Sequence, residues 1–268
     1  MRFARFVHAG GVSFGVVEGE AGAGVAGLTV AEIDRTPFEP VTFTNKRWAL
    51  ADVHLLAPIF SSKVIGIGRN YADHAAELGN AVPKEPLMFL KPSSSVIGPN
   101  DTIRLPIQSQ QVEHEAELAV VIGGTGPVSR IDRRDAEKVI FGYTCANDVT
   151  ARDLQKNDVQ FTRAKGFDSF CPVGPWIETR LDVSDLEVRC EVGRPGDEVR
   201  EVRQLGRTKD MIFDVPSLVS YVSHVMSLLP GDLILTGTPA GVSTITDGDI
   251  VSVRVEGIGE LTNPVAAR

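Results

Sequence analysis

Glycine and proline punctuate this chain from end to end, falling singly and never as a low-complexity tract. They number 26 and 16 among 268 residues, and the apolar segments between them are short, as turns between strands require. Strand-like patterns cover residues 2–7, 12–17, 63–69, 116–122, 139–146, 186–192, 232–236 and 250–256, with a polar stretch at 44–47 following the early strands and turns. Two segments read as helices. Residues 132–139 have an acidic start, and residues 214–229 open on an Asp214 cap with Pro216 in the first turn. In the second, Leu218, Val219, Val222, Val225, Met226 and Leu229 form an amphipathic stripe that Pro230-Gly231 ends. Strands outnumber helices without the strict βα alternation of a doubly wound sheet, so the expected fold is β-rich α+β with a few covering helices. A change of character after Pro58 divides a small N-terminal β-rich domain (1–60) from a main domain (61–268).

Charge and cysteine use exclude several classes of function. Lys and Arg total 27 against 35 Asp and Glu, a formal charge of −8, which argues against nucleic acid, whose phosphates need clustered cations. Cys145, Cys171 and Cys190 form no CxxC pair, so neither a disulfide framework nor a zinc knuckle is expected, and the setting reads as a reducing cytoplasm. His8, Gly10 and Gly11 interrupt the apolar start, leaving no signal-like core. The most apolar short stretch, residues 118–122, is far below the roughly 18 residues of a membrane span, so no membrane partner is expected.

Several short segments carry chemistry. Gly66-Ile-Gly-Arg-Asn-Tyr71 begins like a dinucleotide fingerprint but has Tyr where the third glycine belongs, so a strand ending in a tight turn is the better reading. In Glu113-His-Glu-Ala-Glu-Leu118 a second zincin histidine is missing. Read as a strand, it puts Glu115 and Glu117 on one face and His114 on the other, with Ala119 and Val121 continuing the acidic face into the core. Paired carboxylates there repel unless a cation neutralises them, and oxygen donors suit Mg²⁺, Mn²⁺ or Ca²⁺. The plain alternative is an exposed edge strand with solvated glutamates. Asp148, after the strand at 139–146, offers a third oxygen or merely a turn cap. Lys165 beside Gly166 suits a clamp on an anion or enolate, or else is a surface lysine. His74 and Glu77, at i and i+3 of a short helix with Asp73 as its candidate cap, could make an oriented general base, or be a fortuitous exposed pair. The strand at 232–236 runs into Thr236-Gly-Thr-Pro-Ala-Gly241, a loop able to present N–H groups to a carboxylate. Asp247-Gly-Asp249 reads as a hairpin turn.

Together and in order, seven stretches resemble the fumarylacetoacetate hydrolase family: GIGRNYADHAAELG (66–79), PLMFLKPSSSVIGP (86–99), VEHEAELAVVIG (112–123), ANDVTARDLQ (146–155), RAKGFDSFCPVGPW (163–176), LLPGDLILTGTPAGV (228–242) and EGIGELTNPV (256–265). The resemblance covers about three-quarters of the chain, and residues 1–60 look like the small extra domain of many bacterial members. It implies a mixed β-roll core and one divalent cation per subunit, Mg²⁺ or Mn²⁺ with Ca²⁺ able to substitute. The family's metal ligands map onto Glu115, Glu117 and Asp148, and its lysine onto Lys165. His74 and Glu77 match the pair on the segment that closes over substrate. Gln155, Thr238 and Arg69 are the expected substrate contacts. A homodimer acting on a small 2-oxo or 2-hydroxy-dienoate carboxylic acid is implied.

Chemistry of that kind runs through an enolate, which the cation and Lys165 would stabilise while His74, polarised by Glu77, activates water. Hydrolysis of acylpyruvates, decarboxylation of oxaloacetate-type acids and isomerisation of 2-hydroxyhepta-2,4-diene-1,7-dioate all fit one site. Retention of His74 and Glu77 favours C–C cleavage. The rival from another class is a non-catalytic protein that keeps the carboxylate face only to bind metal or ligand.

Overall fold

The computed structural model describes residues 1–19 and 27–267. Short strands dominate it, as the punctuation requires. The first four, β1 (Arg2–His8), β2 (Gly11–Glu18), β3 (Thr29–Ile33) and β4 (Phe43–Ala49), form an antiparallel meander, and β5 (His54–Leu56) pairs back onto β1. There follow β6 (Val64–Gly68), α1 (Ala72–Glu77), β7 (Leu87–Lys91), β8 (Val96–Ile97), β9 (Ile103–Leu105), β10 (Val112–Glu113) and β11 (Ala116–Ile122). Next come β12 (Ile140–Asn147), β13 (Thr150–Ala151), α2 (Arg152–Asn157), α3 (Thr162–Lys165) and β14 (Cys171–Glu178). The remainder is β15 (Glu187–Gly193), β16 (Glu201–Arg207), α4 (Val215–Val225), β17 (Leu233–Leu235), β18 (Ile250–Val255) and β19 (Gly259–Ala267).

One sheet runs β4-β3-β2-β1-β14-β12-β11-β17-β6-β7, a second runs β16-β15-β18-β19-β9, and β10 pairs with β13. Parallel pairs (β17 with β6, β14 with β8, β19 with β9) interrupt an otherwise antiparallel pattern. The β-rich mixed architecture with few helices is the one expected.

The strand that carries the acidic motif is central. β11 lies between β12 and β17 with every residue buried, which rules out the exposed-edge alternative. Its pleat serves two cores. Ala116, Leu118, Val120 and Ile122 join one apolar cluster, while Ala119 and Val121 join another with Phe3, Val16, Ile177 and Leu235.

Four local expectations are corrected. Residues 44–47 belong to β4, an edge strand that pairs with β3; Asn45, Lys46 and Arg47 are exposed, and the half-buried Thr44 donates to Glu32. The segment at 132–139 is a 3₁₀ helix, Arg133–Val139, and Asp132 makes no side-chain cap bond. α4 has the expected Asp214 cap, whose carboxylate accepts from Ser217 N, but it ends at Val225 and not at Leu229. The backbone of Leu228 is taken there by Val128, 2.8 Å in both directions, so tertiary pairing and not Pro230 stops the helix. Asp247–Asp249 is a turn into β18, but its strands lie in different sheets, so it is no hairpin.

Candidate metal centre

Pairing of β11 with β12 sets Glu117 opposite Ala146 and Ala116 opposite Asn147. Asn147 Oδ1 accepts from Glu115 N at 2.9 Å, and Asp148 N donates to Glu115 O at 2.9 Å. These bonds bring Glu115, Glu117 and Asp148 to one point, with one oxygen of each within 4.8 Å of the others. All three are at most 4 % exposed. His114 points the other way, to Gln204 and Ser243, as period two requires.

Buried cations surround the carboxylates. Lys165, the last residue of α3, donates to Glu115 Oε2 at 2.7 Å and Asp148 Oδ2 at 2.6 Å, so it is no surface lysine. Arg152 donates to Glu113 Oε2, Glu115 Oε1 and Gln155 Oε1. Lys91 donates to Asp148 Oδ1 at 2.5 Å and also reaches Val149 O. Burial pushes the Glu115 carboxyl up, but Lys165 and Arg152 outweigh it and hold the group below its ordinary range. The Lys165 ammonium is disfavoured by burial, yet Asp148 and Glu115 keep its pKa above the ordinary value.

Glu117 is different. Its Oε2 accepts from Gly237 N at 2.6 Å, and among the described residues no lysine or arginine ion-pairs with it. Burial first, then Asp148 and Glu115, raise its pKa well above the usual carboxylate value. The cluster thus sets four buried carboxylates (Glu113, Glu115, Glu117, Asp148) against three buried cations (Lys91, Arg152, Lys165). A buried all-oxygen set with negative charge in excess fits a hard divalent cation of the Mg²⁺ or Mn²⁺ kind, whose second charge an anionic ligand would balance. Zinc and copper sites ordinarily include imidazole nitrogen or sulfur donors, and this set has none.

A cavity of about 380 Å³ opens above the cluster and is lined by Arg69, His74, Glu115, Glu117, Arg152, Gln155, Lys165 and Thr238, with apolar wall from Ile67, Phe89 and Phe161. His74 is buried on α1, and its Nδ1 lies 3.3 Å from Glu77 Oε2. Glu77 Oε1 accepts from Gly241 N at 3.0 Å, which ties α1 to the loop after β17. Asp73 does not cap α1; the N-cap position is Tyr71, with no side-chain cap bond. Arg69 stands at the end of β6 with φ of 57°, a left-handed conformation uncommon outside glycine. The next residue, Asn70, fixes this turn by bonding Phe213 N, Phe213 O and Thr236 O. Gly237, at φ 98°, has no room for a side chain, since a Cβ would lie 2.7 Å from Asn70 Cβ.

Every site residue expected from sequence lies in or beside this cavity. The sequence reading passed over Lys91, Arg152 and Glu113. The available signal was a lysine ending an apolar strand at Phe89-Leu-Lys91 and an arginine inside the DVTARD segment.

Among the described residues, no helix is long and apolar enough to cross a membrane. The family model described as fumarylacetoacetate (FAA) hydrolase C-terminal matches residues 63–266, and one described as Rv2993c-like, N-terminal matches residues 1–58. Protein Rv2993c of Mycobacterium tuberculosis is 51% identical over 271 residues, covering 100% of this chain and 99% of that protein. A crystal structure of 2-hydroxyhepta-2,4-diene-1,7-dioate isomerase from Mycobacterium marinum superposes with a TM-score of 0.91 at 50% identity, covering 100% of this chain and 99% of its own. A mitochondrial oxaloacetate decarboxylase of Dictyostelium discoideum is 41% identical over 206 residues, 73% of this chain and 89% of that protein.

Proposed function

This chain belongs to the fumarylacetoacetate hydrolase family, and from that premise we propose that it cleaves or decarboxylates small 2-oxo acids of the acylpyruvate or oxaloacetate type. One observation carries the reading: Glu115, Glu117 and Asp148 converge beneath a cavity that also receives Lys165 and His74. The decarboxylase of D. discoideum supports it, being named for oxaloacetate.

The three carboxylates would hold Mg²⁺ or Mn²⁺, and such an ion, when bound, supplies a Lewis acid for the oxygen beside the breaking bond. The chain's own side chains do the rest. Lys165, kept charged by Asp148 and Glu115, adds fixed positive charge where an enolate develops. With Nδ1–H given to Glu77, His74 keeps its Nε2 lone pair to take a proton from water. Gln155 has its oxygen engaged by Arg152, which leaves its NH₂ to donate to a substrate oxygen. Arg69, without a polar partner among the described residues, is the cation offered to a substrate carboxylate. We expect a cytoplasmic homodimer.

A second reading is isomerisation of 2-hydroxyhepta-2,4-diene-1,7-dioate, favoured by the likeness to the M. marinum isomerase. A Mg²⁺/Mn²⁺ panel against oxaloacetate, acylpyruvates, fumarylpyruvate and that dioate separates the two. Cleavage or decarboxylation abolishes enol absorbance, and isomerisation shifts it. Metal binding that Glu117→Ala abolishes, without turnover of any substrate, would instead mean a non-catalytic binding protein.

A further inference from the structure

Gln204 lies on β16 in the smaller sheet, outside the cavity lining, and is 1 % exposed. Its Oε1 accepts from Ala116 N at 2.9 Å, while its Nε2 donates to Pro239 O and to Thr238 Oγ1, both at 2.7 Å. An amide N–H can only donate and a carbonyl can only accept, so Ala116 N and Pro239 O fix which end of the carboxamide is oxygen. The same logic fixes His114. Its Nδ1 is 2.9 Å from Gln204 Oε1 and must carry the proton, leaving Nε2 to accept from Ser243 Oγ at 2.9 Å.

The consequence reaches Thr238. Its hydroxyl donates its one proton to Ala116 O at 2.8 Å and accepts from Gln204. Nothing remains on that oxygen to donate to an anion. Thr238 nevertheless lines the cavity, and among the described residues no acceptor takes its main-chain N–H. We propose that Gln204 is a positioning residue: it locks the Thr238 hydroxyl onto β11, so that a substrate carboxylate is gripped by the Thr238 N–H and not by the side chain. Both sheets therefore meet at one carboxamide.

The inference rests on the 2-oxo acid reading, and the test separates the two. Oxalate with Mg²⁺ is the probe, titrated calorimetrically into the full chain. If wild type binds no oxalate, the functional reading falls and takes this one with it. Gln204→Glu keeps the shape but removes both donors, and Gln204→Met keeps the volume but removes all polar contacts. Each is expected to weaken oxalate roughly tenfold to a hundredfold, the usual loss for a hydrogen bond to a charged group. Mn²⁺ binding without oxalate should change by less than about threefold, a separation that general unfolding would not produce. Wild-type oxalate affinity in both variants overturns the proposal. A wild-type measurement guards against misfolding of the variants: hydrogen exchange of the Thr238 amide should slow on adding oxalate and Mg²⁺. An unchanged rate also overturns it.

Discussion

His114 faces away from the carboxylates, and burial, opposed only partly by its bond to Gln204, brings its pKa down to about 4 from an ordinary 6.5. Between those values the unfolded chain binds a proton that the folded chain refuses, so stability falls as the pH drops through this window. The contribution at stake is about 3 kcal/mol, from about 1.36 kcal/mol per pH unit. Melting of wild type and His114→Asn between pH 7 and 4 checks it: the wild-type curve should fall more steeply, and parallel curves would sink the assignment. At this scale the sequence was legible where period two governs, since the side on which Glu115, Glu117 and His114 stand follows from strand geometry alone. It was opaque for Lys91 and Arg152. Their burial depends on ion pairs to residues 57 and 37 positions away, which no local pattern encodes.

Among the elements, α1 is the one whose order should depend on ligand. It is six residues long, too short to be stable by itself. Its tethers to the rest of the chain include the Glu77–Gly241 bond and the bridge from Tyr71 to Met211. If this segment closes over substrate, amides of residues 70–80 should gain hydrogen-exchange protection when oxalate and Mg²⁺ are added. Unchanged exchange would remove the lid assignment. Of the strands around the site, β6, β11, β12 and β17 were readable because apolar residues and glycine punctuation bound them, whereas β7, which carries Phe89 and Lys91, was not read as a strand. The helix ends were not. α4 stops where Leu228 finds Val128, and an edge strand as polar as β4 looks like a loop until its partner is known.

On the scale of the whole molecule, the two family models meet between residues 58 and 63, but hydrogen bonds and packing cross that point. β1 pairs with β14 through Arg2–Glu178 and Phe3–Ile177, and Phe3 lies 5.4 Å, ring to ring, from Phe141. Both were beyond reach of the sequence, because they join residues 138 to 176 positions apart. A chain cut at residue 60 should therefore keep the carboxylate cluster yet expose β14 and the apolar face beneath Phe3. By light scattering, such a truncation should self-associate at concentrations where the full chain does not, and a monodisperse truncation would contradict this. An unpaired strand edge recruits whatever strand it meets. On that expectation the meander at the N-terminus guards β14 against promiscuous pairing, and moving residues 63–266 elsewhere would require a replacement for that guard as well as the residues of the site.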